Sequence, residues 1–450
     1  MKRKILSENK KILMVSLGCD KNLVDSEKML GLLSDHGYDF TDDENEADAV
    51  IVNTCCFIND AKQESIDNLL QMAELKKQGK IKAIIATGCL AERYREEIQK
   101  EIPEVDEIIG TTAIDKIAVS LDEIFKGNKE NHYSGLDSLP LSNGRRIVTT
   151  GGHFAYLKIA EGCDKRCSYC IIPKIRGGYR SVPEENLIEE AKKLAEDGVK
   201  ELILVAQETT VYGTDLYGHK CLSGLLHKLC RIDGLRWIRI LYCYPEEIDD
   251  ELIDTIASEP KICHYLDLPI QHASDRILKS MGRRTSKADL ILIIKKLRKK
   301  IPDICLRTTL ITGFPGETEA EHEELMNFVR DERFDRLGVF TYSREEDTPA
   351  ASFPDQVRAQ TKKKRQRQLM ALQQQIAFEK AASLNGTDLD AIVEGRIVED
   401  NVIVSRTYRD APGVDGLLFV PSELEPMTGD FIRVRVNGSD EYDLTGEIIQ

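Results

Sequence analysis

Three cysteines fall close together in the stretch EGCDKRCSYC, residues 161–170. Cys163, Cys167 and Cys170 have the spacing Cys-x-x-x-Cys-x-x-Cys, and no fourth cysteine follows closely. A closed structural zinc site takes four ligands, and an electron-carrying iron–sulfur cluster usually takes four thiolates. The motif therefore indicates a metal centre with one protein ligand fewer than either of these sites.

A second set of three cysteines follows predicted strands in the first third of the chain. The runs KILMVSLGC, AVIVNTC and AIIATGC end at Cys19, Cys55 and Cys89. Continuous runs rich in Val and Ile are typical of strands buried on both faces, and the helical patterns between them predict a parallel sheet. Parallel sheets gather their chemistry at the carboxyl ends of the strands, so we expect these thiols to converge. Three unrelated buried thiols are the alternative. Cys56, the neighbour of Cys55, is expected to point the other way along the chain.

The elements around the first motif predict an open barrel. From about residue 145 six apolar runs alternate with helical patterns such as EENLIEEAKKLAEDG; the runs are HFAYLKIA, ELILVA, LRWIRIL, HYLDLP, ICLRTTLIT and RLGVFTY. Six strand–helix units make an incomplete version of the eight-unit barrel, whose active site lies at the carboxyl ends of the strands. EGCDKRCSYC directly follows the first run, which is the position of a catalytic loop.

The C-terminal region predicts a long helix that ends near Gly386, followed by a small β-barrel of five short strands. The run KKKRQR in the helix is either a nucleic-acid contact or a solvated helix face. Residues 385–450 contain five arginines, no lysine and fourteen acidic residues, a net charge of 5 − 14 = −9. Because this charge repels phosphate and attracts a basic surface, it favours a protein partner.

Length, charge and cysteine content limit the number of domains, the kind of binding surface and the cellular compartment. The chain has 450 residues, enough for two or three domains, and its net charge of −15 disfavours a broad phosphate-binding surface. Twelve cysteines indicate a reducing compartment. The start MKRKILSENKKILMVSLGC is better explained by a first strand than by a signal peptide. No run approaches the ~20 apolar residues of a membrane span, so we expect a cytoplasmic protein.

The cysteine motif, with Tyr169 before its last cysteine, resembles that of the radical S-adenosylmethionine superfamily. The resemblance implies that Cys163, Cys167 and Cys170 hold a 4Fe-4S cluster. One iron of that cluster would then be left to bind S-adenosylmethionine, whose reductive cleavage yields a deoxyadenosyl radical. In this interpretation the missing fourth cysteine is functional.

The order of the regions resembles the methylthiotransferase family over essentially the whole chain. The implied domains are an N-terminal α/β domain with a parallel sheet (1–140), a partial (β/α)6 radical barrel (145–380) and a TRAM-type β-barrel (385–450). By the same resemblance Cys19, Cys55 and Cys89 hold a second 4Fe-4S cluster. Several segments resemble the branch that modifies an aspartate of a small-subunit ribosomal protein: SLGCDKNLVDSE, TTVYGTDLYG, LYCYPEEIDDELI, RFDRLGVFTYSREEDTPA and SRTYRDAPGVDGLLFV. Asp20 departs from the family pattern, in which proline is usual.

The resemblance implies insertion of a methylthio group at the β-carbon of that aspartate. The radical would remove hydrogen, and the second cluster would supply sulfur that a second S-adenosylmethionine methylates. No catalytic residue beyond the cluster ligands is expected, because an unactivated C–H bond has no useful acidity for a general base. The implied partners are the basic ribosomal protein, free or on the ribosome, an external electron donor and a sulfur donor; neither a membrane nor direct tRNA binding is expected.

The resemblance also implies residues that line the S-adenosylmethionine site: Tyr169, Gln207, Glu208, Gln271, Arg307 and Gly313. Ordinary loop chemistry is the alternative, since GFPGE is a common turn composition and His272 is equally consistent with a structural hydrogen bond. Arg176 and Arg180 either position cofactor or substrate, or pack their loop.

Two other functions remain open from the sequence. A tRNA adenosine methylthiotransferase would share the motifs, and mass analysis of each product would separate the two enzymes. A non-catalytic iron–sulfur carrier or zinc module would not cleave S-adenosylmethionine under reducing, anaerobic conditions.

Overall fold

The computed structural model describes residues 10–139 and 144–449. The extreme N-terminus considered above as part of a signal peptide, residues 1–9, lies outside this range. Within it, no helix is both long enough and apolar enough to cross a membrane.

The N-terminal unit is a parallel five-stranded sheet in the order β2-β1-β3-β4-β5, with helices between the strands. Strands β3 and β4 are buried on both faces, as their unbroken Ala, Val and Ile runs predict. A short 3-10 helix, Ile114–Lys116, precedes α5. The elements are β1 (Lys11–Ser16), α1 (Asp20–Asp35), β2 (Asp39–Phe40), β3 (Ala49–Thr54), α2 (Asn59–Lys77), β4 (Ala83–Thr87), α3 (Gly88–Arg93), α4 (Arg95–Glu101), β5 (Glu107–Ile109) and α5 (Ile117–Phe125).

The central unit is an open half-barrel of six parallel strands in the order β13-β12-β11-β10-β9-β6. All six predicted strands are present, and their side chains that face the flanking helices form the largest apolar core. Strands β7 and β8 form a separate antiparallel pair, and two 3-10 helices (Pro245–Glu247 and Pro349–Ser352) lie in connecting loops. The elements are β6 (Phe154–Lys158), β7 (Ala160–Glu161), α6 (Ile172–Ile175), β8 (Arg180–Ser181), α7 (Glu184–Glu196), β9 (Glu201–Val205), α8 (Thr214–Tyr217), α9 (Leu222–Cys230), β10 (Trp237–Ile240), α10 (Asp250–Ser258), β11 (Ile262–Gln271), α11 (Asp275–Ser280), α12 (Lys287–Lys300), β12 (Cys305–Thr312), α13 (Glu319–Glu332), β13 (Arg336–Thr341) and α14 (Ala359–Ala382).

The C-terminal unit is a closed five-stranded barrel in the order β14-β15-β16-β18-β17. It follows α14, as the sequence predicts. Its strands are β14 (Asp388–Ile397), β15 (Val402–Thr407), β16 (Leu418–Pro421), β17 (Phe431–Asp440) and β18 (Asp443–Ile448). The predicted fold class, a parallel α/β unit, a partial (β/α)6 barrel and a small β-barrel, is confirmed.

The C-terminal barrel packs against the amino ends of the half-barrel strands. Glu201, the first residue of β9, accepts a hydrogen bond from Arg239 at 2.7 Å and forms an ion pair with Arg406 of β15 at 2.6 Å. All three side chains are almost fully buried. Trp237, at the start of β10, meets Phe431 edge to face. The N-terminal unit instead packs along the edge strand β6, where Lys158 pairs with Asp25 of α1, and contacts the loop after β10, where Tyr242 donates to Asp20.

Candidate metal centres and cofactor cleft

The first cysteine triad, Cys163, Cys167 and Cys170, lies in the loop between β7 and α6. Gly162 has a positive φ of +77°, and a Cβ there would lie 2.0 Å from the Gly178 carbonyl oxygen, so only glycine fits. The Cys170 amide donates to the Cys167 carbonyl at 3.0 Å, which folds the loop into a tight turn. Three thiols are thereby held on one short loop.

Burial controls the protonation of two thiols in this triad. Burial, assisted by the neighbouring thiols, raises the pKa of both Cys163 and Cys170 to about 12. Neutral thiols are poor metal ligands, because the thiolate is the ligand. A bound metal must therefore displace these protons, so metal binding here releases protons.

The second triad, Cys19, Cys55 and Cys89, is assembled from three separate strand–helix junctions. Cys19 caps α1, Cys55 directly follows β3, and Cys89 is the second residue of α3, immediately after β4. Strands β1, β3 and β4 are neighbours in the sheet, so all three thiols lie at one edge. Burial raises the pKa of Cys89, and both other thiols of the triad raise it further. The thiols are therefore close enough to interact.

Gly18 leaves the space that this triad needs. Its φ is +90°, and a Cβ at this position would lie 2.8 Å from the Cys55 Sγ. Cys55 accordingly faces the Gly18–Cys19 turn. Cys56 is fully buried in the apolar core beside Arg93, and it also raises the pKa of Cys89. The assignment of Cys55 rather than Cys56 as a ligand stays a prediction.

The donor sets fit iron–sulfur clusters. In residues 10–139 and 144–449, no three His, Cys, Asp or Glu side chains form a group that could hold a metal ion. A cluster bonds each thiolate to a different iron, so its ligands stand farther apart than those of one ion. Soft thiols in sets of three match this chemistry.

Three predicted cofactor residues lie beside the first triad. Tyr169 is half-buried, and desolvation followed by the charge of Cys167 raises its pKa. Gln207 donates to Glu161, two residues before Cys163, at 2.9 Å. Glu208 is buried at the end of β9, and this burial raises its pKa to about 7. Its Oε1 atom accepts from the Thr210 amide at 2.9 Å, whereas its buried Oε2 atom lies 3.8 Å from the Lys165 ammonium and accepts no hydrogen bond. Oε2 therefore has capacity for a hydrogen bond from a ligand.

Gln271 and Gly313 are also predicted cofactor residues, and they lie at the ends of β11 and β12. Gln271 has a φ of +71° and donates to the Pro269 carbonyl at 3.3 Å. Gly313 has a φ of +72°, and its amide donates to Glu317. Both therefore lie in turns at the carboxyl end of the half-barrel, although neither is seen next to a cysteine.

Arg307, the last of the predicted cofactor residues, is paired with acidic side chains. Its guanidinium donates to Asp415 of the C-terminal barrel at 3.0 Å and lies 3.8 Å from Asp267. Asp415 belongs to the loop between β15 and β16, which packs at the amino end of the half-barrel. Neither of these partners is one of the other predicted cofactor residues.

Two residues near the first triad escaped sequence reasoning. The Tyr244 hydroxyl lies 3.5 Å from the Cys167 Sγ, and the Arg283 guanidinium stacks 4.1 Å from the centre of the Tyr244 ring. Tyr244 lies in the segment LYCYPEEIDDELI, which resembles the family but does not by itself indicate a residue near the cofactor. Arg283 lies in a loop without any motif, so no signal could have found it.

Both triads border the same seam between the N-terminal unit and the half-barrel. From the half-barrel side, Tyr242 follows β10 and its hydroxyl donates to Asp20 at 3.1 Å; the Lys21 ammonium lies 3.3 Å from the centre of the Tyr242 ring. Arg176, six residues after Cys170, donates to the Cys89 Sγ at 3.3 Å. Residues next to each triad therefore contact the other unit.

A surface cavity of about 580 Å³ lies close to this seam. It is bounded by Lys174, four residues after Cys170, and by the loop 344–352 that follows β13. That loop contacts both units: the Ala350 amide donates to the Ser168 carbonyl at 2.9 Å, and Glu345 forms an ion pair with Lys62 of α2 at 2.6 Å. The cavity thus lies beside a loop that contacts the first triad's segment at Ser168.

An open parallel half-barrel with a three-cysteine loop after its first strand defines a radical S-adenosylmethionine enzyme. In agreement, residues 157–329 match the Radical SAM superfamily. Residues 11–110 match the model described as Uncharacterized protein family UPF0004, and residues 386–449 match the TRAM domain.

Curated relatives identify the family within that class. "Ribosomal protein uS12 methylthiotransferase RimO" of Lachnoclostridium phytofermentans is 61% identical over 436 residues, which is 97% of this chain and 99% of the relative. The proteins of the same name from Clostridioides difficile and Geobacter sulfurreducens are 50% and 48% identical, each over 98% of this chain and over 99% and 98% of the relative. The chain therefore belongs to the RimO methylthiotransferase family.

Solved structures agree on the fold. The radical S-adenosylmethionine methyltransferase TsrM from Kitasatospora setae, with cobalamin and a [4Fe-4S] cluster bound, has a TM-score of 0.55 at 14% identity, covering 76% of this chain and 77% of that one. The cobalamin-dependent radical enzyme OxsB has a TM-score of 0.51 at 12% identity, covering 76% of this chain and 54% of that one. At these identities the similarity concerns the fold alone.

Proposed function

We propose that the protein inserts a methylthio group at the β-carbon of an aspartate in ribosomal protein uS12. The observation that carries this proposal is the shared seam: each of two under-ligated thiol triads borders the same boundary between the N-terminal unit and the half-barrel. Transfer of sulfur to a carbon radical requires the two groups to meet before water or another side chain intervenes. The names of the relatives support the substrate assignment.

We assign the thiols in two sets. Cys163, Cys167 and Cys170 would hold one 4Fe-4S cluster, and Cys19, Cys55 and Cys89 would hold the second. Bound there, the clusters and S-adenosylmethionine supply radical formation and the sulfur to be transferred. The chain's own residues bind, orient and exclude water: Tyr169, Gln207 and Glu208 form the wall of the cofactor cleft beside the first triad.

The C-terminal barrel supports a basic protein as the partner. Two of its five arginines, Arg406 and Arg409, turn toward the half-barrel, while Arg433 and Arg435 are paired with Asp390 and Asp388. The exposed acidic residues are Asp390, Glu399, Asp400, Glu423, Glu425, Asp430, Asp440, Glu441 and Glu447. This surface attracts a basic protein and repels RNA phosphates.

The position of the barrel limits how the partner binds. The barrel packs at the amino end of the half-barrel, whereas both triads lie at the carboxyl end. A partner that contacts both must therefore extend along the height of the strands, which is feasible for a ribosomal protein. We infer that its aspartate enters through the cavity between Lys174 and the loop 344–352.

We also propose the domain boundaries 1–140, 145–380 and 385–450, a cytoplasmic location, and external donors of electrons and sulfur. The twelve cysteines, all of them free thiols in the structure, support a reducing compartment.

The test is a parallel assay of two substrates. Anaerobically reconstituted enzyme is incubated with S-adenosylmethionine, a reductant and sulfide, either with uS12 or with tRNA, and each product is weighed by mass spectrometry. We expect a mass gain on uS12 equal to one methylthio group replacing hydrogen, located at a single aspartate. A gain on tRNA adenosine alone would establish the tRNA enzyme instead, and no cleavage of S-adenosylmethionine would indicate an electron carrier.

A further inference from the structure

Arg176 links the two triads through one buried side chain. It directly follows α6, in the segment that continues from the Cys163–Cys170 loop, and only 2% of its side chain is exposed. Its Nε donates to the Cys89 Sγ at 3.3 Å, and its Nη1 donates to Asp25 at 2.9 Å. Its Nη2 donates to Asn22. A residue of the half-barrel thus reaches a thiol of the N-terminal unit.

The charges around Arg176 are balanced before any metal binds. The cations Arg176 and Lys158 face the carboxylates of Asp25 and Glu161, and all four side chains are buried. A thiolate at Cys89 would add a further negative charge to this cluster.

A hydrogen bond from a cation to a ligand sulfur has a defined effect on a metal centre. It stabilises negative charge on the sulfur, and one-electron reduction adds one negative charge to the centre. Such contacts favour the reduced form and raise the reduction potential. Arg176 is the guanidinium placed to do this at Cys89.

We propose that Arg176 is a positioning residue that raises the reduction potential of the centre held by Cys19, Cys55 and Cys89. This inference rests on the ligand set in the proposed function. It makes the properties of the N-terminal centre depend on a residue of the half-barrel, and hence on the two units being docked. The electron in the measurement below comes from the chemical titrant.

Arg146 is a matched control for the structural part of this role. It is also buried at the seam, where it donates to Glu27 of α1 at 2.8 Å and to Glu190 of α7 at 2.8 Å. Only 5% of its side chain is exposed, and none of its hydrogen bonds is to sulfur. Arg146→Gln therefore breaks a buried ion pair across the same seam without changing the contact to Cys89.

The test uses the full chain with Cys163, Cys167 and Cys170 all replaced by alanine, so that one centre remains. After anaerobic reconstitution with iron and sulfide, a redox titration followed by electron paramagnetic resonance gives its potential. With Arg176→Gln we expect the ratio of reduced to oxidised centre at a fixed solution potential to fall roughly tenfold, about 59 mV for a one-electron couple. Arg176→Lys should give a ratio between those of the parent and Arg176→Gln, and Arg146→Gln should leave the ratio unchanged.

An unchanged potential in Arg176→Gln, with full iron content, would overturn the proposal. If that variant fails to fold or to retain iron, Asp25→Asn provides the second test. This change removes a carboxylate that competes with the Cys89 sulfur for the Arg176 guanidinium. The reduction potential must therefore rise, opposite to the fall expected for Arg176→Gln. An Asp25→Asn potential equal to that of the parent would also overturn it. Neither measurement needs uS12, so failure to form the methylthio product refutes the proposed function without affecting this result.

Discussion

Cys163, Cys167 and Cys170 occupy one loop, whereas Cys19, Cys55 and Cys89 come from three strand–helix junctions that are 36 and 34 residues apart. The first triad needs only the local turns of one segment and Gly162. The second exists only when the parallel sheet has formed, because strand order brings its members to one edge. One site is thus encoded by spacing and the other by tertiary structure, although both offer the same number and type of ligands.

This difference predicts separable losses of chemistry. Cys167→Ala should abolish cleavage of S-adenosylmethionine, because the first centre loses a ligand. Cys89→Ala should retain that cleavage but form no methylthio product, because the second centre is lost. Quantifying 5′-deoxyadenosine and modified uS12 in the same reaction tests both. Loss of cleavage in properly folded Cys89→Ala would show that the two sites are not independent.

Glycine substitutions should damage the triads selectively. Gly162→Ala places a Cβ against the Gly178 carbonyl oxygen, and Gly18→Ala places one against the Cys55 sulfur, both with positive φ. Strain at such positions costs about 1–3 kcal/mol, and the close contacts add to it. We expect Gly162→Ala to lose the first centre and Gly18→Ala the second, measured as iron content beside the thermal unfolding midpoint.

Gly79→Ala is the control for these two variants. It has a similar φ of +74°, but a Cβ there meets nothing within 4 Å. Iron loss in Gly79→Ala would mean that backbone strain anywhere in the N-terminal unit, and not contact with a ligand loop, causes the effect.

The adjacent pair Cys55 and Cys56 offers a sharper test of the second triad. Cys55 faces the Gly18–Cys19 turn, while Cys56 packs in the apolar core. Cys55→Ala should therefore lower the iron content by about half, and Cys56→Ala should retain all of it at a small cost in stability. The reverse result would assign Cys56 as the ligand.

Metal removal should produce the smallest and most local effect. The first triad lies in a loop with few backbone hydrogen bonds, whereas the second lies at the ends of a fully paired sheet. Chelation of iron should speed amide hydrogen exchange in residues 162–171 and leave the strands β1, β3 and β4 protected. Equal loss of protection at both sites would show that the sheet itself depends on metal.

The same contrast explains how much could be predicted from the sequence. The spacing of Cys163, Cys167 and Cys170 can be recognised within ten consecutive residues. The apolar runs before Cys55 and Cys89 predict the strands that position those two thiols. The start of α1 is harder to predict, because the sequence DSEKMLGLLSDHG shows a clear helical pattern only from Asp25 onward, whereas the helix begins at Asp20. Polar residues next to a capping cysteine give little periodic signal.

Contacts between units could not be predicted. Arg307 was expected in the cofactor cleft, yet its hydrogen-bonded partner, Asp415, is 108 residues away in another unit. For Arg176 the sequence leaves two roles open, positioning of cofactor or substrate and packing of its loop, and nothing in its neighbourhood of the sequence points to Cys89, 87 residues before it. Such contacts depend on how the folded units pack against one another. The hydrophobic periodicity within one unit carries no information about that packing.

The central claim is that the chain holds two separate clusters with three thiolates each. Iron and acid-labile sulfide per chain, determined after anaerobic reconstitution of the wild type, Cys89→Ala and Cys167→Ala, test it most directly. The account predicts about eight iron atoms in the wild type and about four in each variant, with matching sulfide. About four iron atoms in the wild type, or an unchanged content in Cys89→Ala, would contradict it.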